Sequence, residues 1–456
     1  MASEVKLTIP TYRNEHVSDT VRAYDENFTK YGHKVPILVF DDSPQETGLD
    51  VGGVRNRVLY VGPNEKAGFL DELIARIGNG ELVRKIFRPS YGGNRNFTLA
   101  YTLGEHFISA DDDMRPYGII ARDRTPLNER EISRGRYIDR KDLPSMERVE
   151  FDLYGAFSDV LGKKAGSINY DKGALLVDNL MDLMTNMTNG KLKVGTRNVL
   201  TLKKGNVRPD ATIKHAQTFR TGSADVDIID YVDEFLEDPT LISVNDMKKV
   251  YVIENFRPVV TNENWRVDCG VSGYDNSEGL PPFFPTKLRF EDYIFRLWLQ
   301  REDVASAHVG AVQNHSRNPY GRDSLASELL YEDVGKMLKL MIYDSITKID
   351  KVNLEFILDG NFRISDEKAG ELLKKGEWAF ETSKSADKHR GYYDTFMREV
   401  YRAFQEFNFK RFKEHIQGVV DDEAKLISQT LEVWPQILSE VEAVKKNGGM
   451  PIKVVN

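Results

Sequence analysis

The sequence predicts an α/β protein built on an open, mostly parallel sheet flanked by helices, and two observations carry that prediction. Short apolar runs that read as strands alternate with stretches of helical spacing through the first quarter of the chain. Each run stops at a polar turn: "VKLTI" at Pro10, "PILVF" at "DDSP", and "FISA" at three consecutive aspartates, Asp111, Asp112 and Asp113. Sheets of this kind collect ligands at the C-terminal ends of their strands, so these polar residues fall where chemistry is expected.

Taken in order, Val5 to Ile9 alternates apolar with polar and reads as a strand leading through Pro10 into a loop, with a helix after it. Pro36 to Phe40 is continuously apolar, the pattern of a strand buried on both faces. Arg57 to Val61 makes a third strand, and Phe69, Leu73, Ile74 and Ile77 share a helical face. "NFTLAYTLGEHFISADDD" reads as a helix ended by Gly104, then a fourth strand from Phe107 to Ala110. Residues Arg115 to Arg140 are densely charged with little periodicity, a long loop whose arginines (Arg122, Arg124, Arg130, Arg134, Arg136) read as solvated. A mixed region follows, including the amphipathic stretch Ala174 to Met187, whose methionines read as core filling. A second organised block runs from about Asp246 to Gly310.

After Asn318 to Ser324 the pattern turns helical. Leu330, Val334, Met337, Leu338 and Met341 share one face, and Phe396, Val400, Ala403, Phe404 and Phe407 another. Pro435 is expected to kink or divide the last long helix. The domain reading is therefore a sheet domain over 1–317, with a long insertion around 115–245, and a helical C-terminal subdomain over 318–456.

Composition narrows the function classes. With 40% hydrophobic and 29% charged residues, the 456-residue chain is of ordinary globular type and long enough for a large core. A net charge of -8 argues against coating nucleic acid, which needs a concentrated basic surface. The single cysteine, Cys269, excludes an intramolecular disulfide and a cysteine-based zinc cluster, and suits a reducing compartment. No charged-then-apolar leader opens the chain, and no apolar run reaches the roughly 18 residues of a membrane span. The expectation is a cytoplasmic protein without an integral membrane segment, with homo-oligomerisation left open.

The motifs narrow it further. "LTIPTYRN", "VFDDSP", "GGNRNF" and "SADDD" occur in the order strand end, strand end, helix start, strand end. In that order the sequence resembles the GT-A fold glycosyltransferases, particularly the family 2 class of nucleotide-diphospho-sugar transferases. "CGVSGYDNSEG" and the Glu291-Asp292 pair in "RFEDYIFRLWLQ" extend the resemblance, as does His315 in "QNHSRNP". The match covers about Val5 to Arg317. Arg13 departs from the family's usual "TYN", and the triple aspartate leaves the D-x-D register open between Asp111 with Asp113 and Asp111 with Asp112.

The resemblance implies a GT-A fold and transfer of a sugar from a nucleotide-diphosphate donor to a small-molecule, glycan or lipid-linked hydroxyl. It implies Mn²⁺ or Mg²⁺ held by Asp111, Asp113 and His315, hard oxygen donors being suited to such cations. Donor binding falls to Pro10, Thr11, Tyr12, Asp42, Arg95 and Asp111, and acceptor binding to Gly273, Tyr274 and Glu291. Asp292 becomes the general base of an inverting displacement. A retaining transferase shares the same motifs. A sugar nucleotidyltransferase would need a glycine-rich loop after the first strand, and "IPTYRNEH" has no glycine. A non-catalytic nucleotide-binding scaffold is the remaining alternative.

Overall fold

The computed structural model describes residues 5–12, 14–46, 48–121, 136–139, 146–168, 207–218, 222–225, 247–251, 259–261, 270–286, 291–310, 313–316, 374 and 409–456. The first elements are β1 (Val5–Thr11), α1 (Asn14–Lys30), β2 (Ile37–Asp41), β3 (Val58–Val61), α2 (Pro63–Ile77), α3 (Gly80–Ile86), α4 (Tyr91–Tyr101) and β4 (His106–Ala110). After them come β5 (Met114–Arg115), β6 (Tyr117–Ala121), β7 (Arg136–Asp139), β8 (Met146–Glu150), α5 (Leu153–Ser158), β9 (Ile213–Thr218), β10 (Gly222–Asp225), β11 (Met247–Tyr251) and β12 (Val259–Thr261). The remainder is β13 (Val271–Asp275), α6 (Glu291–Arg301), β14 (Ala305–Val309), β15 (Gln313–His315), α7 (Phe409–Asn447) and β16 (Lys453–Val454).

Nine strands form one sheet in the order β12-β14-β9-β13-β4-β1-β2-β3-β16. β1, β2, β3, β4, β9 and β14 run in one direction, and β12, β13 and β16 run against them. This is an α/β architecture with a Rossmann-like, mostly parallel sheet. The chain steps outward from β1 to β2 to β3, then returns to set β4 on the other side of β1. That reversal is a topological switch point, and in open α/β sheets ligands bind in the crevice outside the C-terminal strand ends at such a point, here those of β1 and β4. A five-stranded sheet, β5-β15-β10-β11-β7, begins right after the acidic triplet and carries His315 back beside it.

Alternation of side chains along the strands gives the sheet two buried faces. Leu7, Ile9, Ile108 and Ala110 pack with Val17 and Val21 of α1 and Phe157 of α5. Leu38, Phe40 and Phe107 pack with Phe69 and Leu73 of α2, Phe97 of α4, Phe295 of α6, and Trp434, Ile437 and Val441 of α7.

The stretch 115–245 contributes to the sheet: β9 lies within it, between β13 and β14, with every residue but Lys214 buried. Of the two expectations for Pro435, division of the last helix is not met, since the proline lies inside α7. Nor does the described end of the tail stand apart from the sheet domain. α7 closes the second core cluster, β16 pairs with β3, and the Asn456 side chain accepts from the Val58 amide at 2.7 Å. The amphipathic stretch 174–187, the helical faces at 330–341 and 396–407, and Arg122, Arg124, Arg130 and Arg134 lie outside the described residues. Among the described residues, no helix is long and apolar enough to cross a membrane.

Candidate functional site

The acidic triplet turns sharply as it leaves β4, the Met114 amide bonding back to the Asp111 carbonyl at 3.0 Å. The three carboxylates part company there. Asp112 is drawn inward, accepting from the Thr11 hydroxyl at 2.6 Å, while its carbonyl takes Thr20 and the Arg115 guanidinium. It is a brace between β1, α1 and β4.

Asp111 and Asp113 stay at the strand end, Asp111 beside the Arg95 guanidinium and Asp113 beside the His315 ring. Asp111 receives Arg95 Nη2 at 2.6 Å, and Asp113 lies 3.2 Å from His315 Nε2. Burial pushes the Asp111 carboxyl above its ordinary value, the Arg95 guanidinium pulls it down, Asp113 raises it and His315 lowers it. About a third of that side chain, 35%, faces solvent, which tempers the upward push. All four groups therefore act on one local field.

Arg95 gathers the centre. It is 5% exposed, donates to Ser109 Oγ at 3.3 Å as well as to Asp111, and reaches Glu291 at 3.7 Å through Nε. By that bridge the first turn of α6, carrying buried Glu291 and partly exposed Asp292, is held at the end of β4. α4 can deliver Arg95 because its start is glycine. A Cβ on Gly92 would sit 1.9 Å from the Phe284 carbonyl oxygen, so only glycine lets the helix approach this closely. Asn96 then locks the contact, accepting from the Phe283 amide at 2.8 Å and donating to its carbonyl at 2.7 Å.

Beside this centre lies a second group. Asp42 bonds through its amide to the Thr11 carbonyl at 2.8 Å, and its carboxylate takes the Lys66 ammonium and the Ser90 amide. Lys66 also donates to Asn94 Oδ1 at 2.8 Å. Burial pushes the Asp42 carboxyl up and the Lys66 amine down, each group holding the other charged against that trend. Above them Tyr12 and Tyr91, 46% and 43% exposed, meet edge to face with ring centroids 6.3 Å apart. Pro10 lies within β1 just below them, half-buried.

The structure therefore gathers Pro10, Thr11, Tyr12, Asp42, Arg95, Asp111, Asp113, Glu291, Asp292 and His315 around one end of the sheet. It does not bring Gly273 and Tyr274 there. β13 runs against β4, so Asp275 pairs with His106 and this motif points to the opposite end. Tyr274 is 1% exposed, stacked on Phe107 at 4.9 Å, and a Cβ on Gly273 would meet the Phe157 ring at 2.5 Å. Both are core residues, which corrects the acceptor assignment. At that far end Asp275, although buried, is held down to about 2 by His106 and Ser277.

Sequence reasoning missed Lys66, Tyr91, Asn94, Thr20 and Arg115. For Lys66 a signal exists: it falls on the helical stripe of Phe69 and Leu73, where an unpaired charge would be costly. The others become visible only once α4 and β5 are placed.

Two carboxylates and an imidazole are donors of the right kind for Mn²⁺ or Mg²⁺. They stand as two separate pairs, Asp111 with Arg95 and Asp113 with His315. Among the described residues, no group of three or more His, Cys, Asp or Glu side chains is placed to hold a metal. No family model and no curated protein matches this chain.

Proposed function

We propose that this protein is a glycosyltransferase of GT-A type that binds a nucleotide-diphosphate sugar in the crevice above β1 and β4 and transfers the sugar to a hydroxyl acceptor. The observation that carries the reading is the meeting there of separate strand-end and helix-start segments: Thr11 and Tyr12, Asp42, Arg95, the acidic triplet, His315 and Glu291. The exposed corner of Tyr12 and Tyr91, with Asp42 beneath, suits a flat heterocycle with a polar edge. The centre around Asp111 and Arg95 suits the diphosphate and sugar end.

In the inverting form of the reaction, the acceptor oxygen bonds to the anomeric carbon as its bond to the phosphate oxygen breaks. The hydroxyl proton passes to Asp292, and the nucleotide diphosphate departs. Asp292 stands in the first turn of α6, next to Glu291. Mn²⁺ or Mg²⁺, bound by Asp111, Asp113 and His315, would supply countercharge to the phosphates. Asp111 already faces the Arg95 guanidinium and Asp113 the His315 ring, and this favours one second reading, a nucleotide-binding scaffold without catalysis.

The test is a panel of uridine and guanosine diphosphate sugars, each with and without Mn²⁺, followed by thermal denaturation and by release of nucleoside diphosphate. One member is expected to raise the midpoint by about 2 °C or more. Asp111→Asn and Tyr12→Ala should remove the shift. A shift without turnover on any acceptor supports the scaffold; no shift from any member, with or without metal, defeats both readings. If turnover occurs, retention at the anomeric carbon removes Asp292 from its role.

A further inference from the structure

Around Asp42 the hydrogen-bond donors are already committed, and this decides what kind of ligand edge the carboxylate can meet. Lys66, on α2, is 6% exposed, and its ammonium bonds the Asp42 carboxylate and Asn94 Oδ1, the latter at 2.8 Å, and lies over the Phe97 ring at 4.8 Å from its centroid. The three hydrogens of an ammonium thus each have a partner. The Asn94 amide gives its own hydrogens to the carbonyls of Phe40 and Thr11, at 3.0 and 3.3 Å. The backbone amide of Asp42 donates to the Thr11 carbonyl and that of Ser90 to the carboxylate. None of these groups has a hydrogen to give a ligand.

What remains is acceptor capacity. A carboxylate has about four lone-pair sites, and Lys66 and the Ser90 amide occupy part of them. The Asp42 side chain is 8% exposed. The two exposed rings are chain neighbours of its partners, Tyr12 following Thr11 and Tyr91 following Ser90. A flat heterocycle seated on those tyrosines brings its edge to an acceptor.

We propose that Lys66 sets which nucleobase the crevice accepts, by keeping Asp42 an acceptor with no hydrogen of its own. This rests on the nucleotide-binding reading above, although not on sugar transfer. Guanine and uracil carry a ring N–H on their pairing edge and can donate it to a carboxylate, guanine adding its amino group. Cytosine and adenine carry a bare ring nitrogen beside the amino group, and it would meet a carboxylate oxygen lone pair to lone pair. Protonation of the carboxyl reverses that preference, since its O–H bonds the bare nitrogen while its other oxygen accepts from the amino group. Burial and the neighbouring Asp41 favour the protonated form, and Lys66 and the Ser90 amide oppose it. Lys66 acts through Asp42 and is a positioning residue.

The full chain is titrated calorimetrically with GDP, UDP, CDP and ADP in the presence of Mn²⁺. GDP or UDP is expected to bind at least about tenfold more tightly than CDP and ADP, with that ratio constant from about pH 6 to 8. Lys66→Met should shrink the ratio about tenfold at the acid end and restore it as pH rises and Asp42 ionises, a pH dependence that a merely structural loss would not produce. Asp42→Asn, its amide oxygen still held by Lys66, places an N–H where the acceptor stood; it should favour CDP and ADP at every pH, and it decides the matter if Lys66→Met does not fold. Equal wild-type affinity for all four, a folded Lys66→Met with the wild-type ratio throughout, or an Asp42→Asn that keeps the wild-type preference each overturns the proposal and leaves nucleotide binding standing. Binding of none of the four overturns the nucleotide reading and the proposal together.

Discussion

Arg95 holds Asp111 and Glu291 from one planar fork, a geometry an ammonium cannot reproduce. Arg95→Met should cost roughly 3 kcal/mol in urea denaturation, because it leaves buried Glu291 and half-buried Asp111 facing each other's charge. Arg95→Lys should recover only part of that. A different residue governs the acid limb. His215 on β9 is 1% exposed, and both ring nitrogens lack a hydrogen-bond partner among the described residues. Burial pushes its imidazole down to about 3, with His308 adding to the effect. Between that value and the ordinary 6.5, the unfolded chain binds a proton that the folded chain refuses. Stability therefore rises with pH across the window and is fully present above it, the difference being on the order of 5 kcal/mol. His215→Leu should flatten this limb, read as the pH dependence of the urea midpoint from 4 to 7, while costing little at neutral pH because it removes two unsatisfied nitrogens. An unchanged acid limb would assign the proton uptake elsewhere.

Helices and strands divide sharply in how far the sequence disclosed them. β1, β2, β3 and β4 were legible within two residues because each is a short apolar run closed by a polar turn. β9 was not: "IKHAQT" puts His215 and Gln217 in the buried interior of the sheet, and no periodicity rule expects that. The first turn of α4 lies ahead of the helix read from Asn96, because the adjacent Gly92 and Gly93 carry no apolar periodicity. Tertiary packing explains them, and a pair of substitutions separates packing from propensity. Gly92→Ala places a methyl group 1.9 Å from the Phe284 carbonyl oxygen and should destabilise by at least 2 kcal/mol despite alanine's higher helix propensity. Gly68→Ala in α2 meets only Pro451, at an ordinary 3.7 Å, and should stabilise by up to about 1 kcal/mol. Equal effects in denaturant melts would mean that α4 does not approach the 283–285 segment as closely as the structure has it. Thr11, Asp42 and Asp111 were legible as candidates for the same reason as the strands, since they stand at or just after strand ends, whereas Arg95 and Glu291 belong to helix starts. Gly273 and Tyr274 were misassigned because strand direction cannot be read from a motif.

Across the whole molecule, the sequence break near residue 318 is not a break in packing at the C-terminus. Trp434 lies 6.2 Å from Phe87, Ile437 and Val441 are fully buried in the cluster that contains Phe40 and Phe107, and β16 forms the edge of the nine-stranded sheet. A helix that covers one face of a sheet shares its unfolding, since neither surface can be exposed to water without the other losing its burial. Ile437→Ala should therefore destabilise by about 2 to 5 kcal/mol and shift far-UV circular dichroism and tryptophan fluorescence together. It should also raise amide hydrogen exchange in β1, β2 and β4, strands it does not touch in sequence. A variant in which α7 exchanges faster while those strands keep their protection would instead describe a tail that docks on a sheet already stable alone. The crevice would then stand on 1–317 by itself.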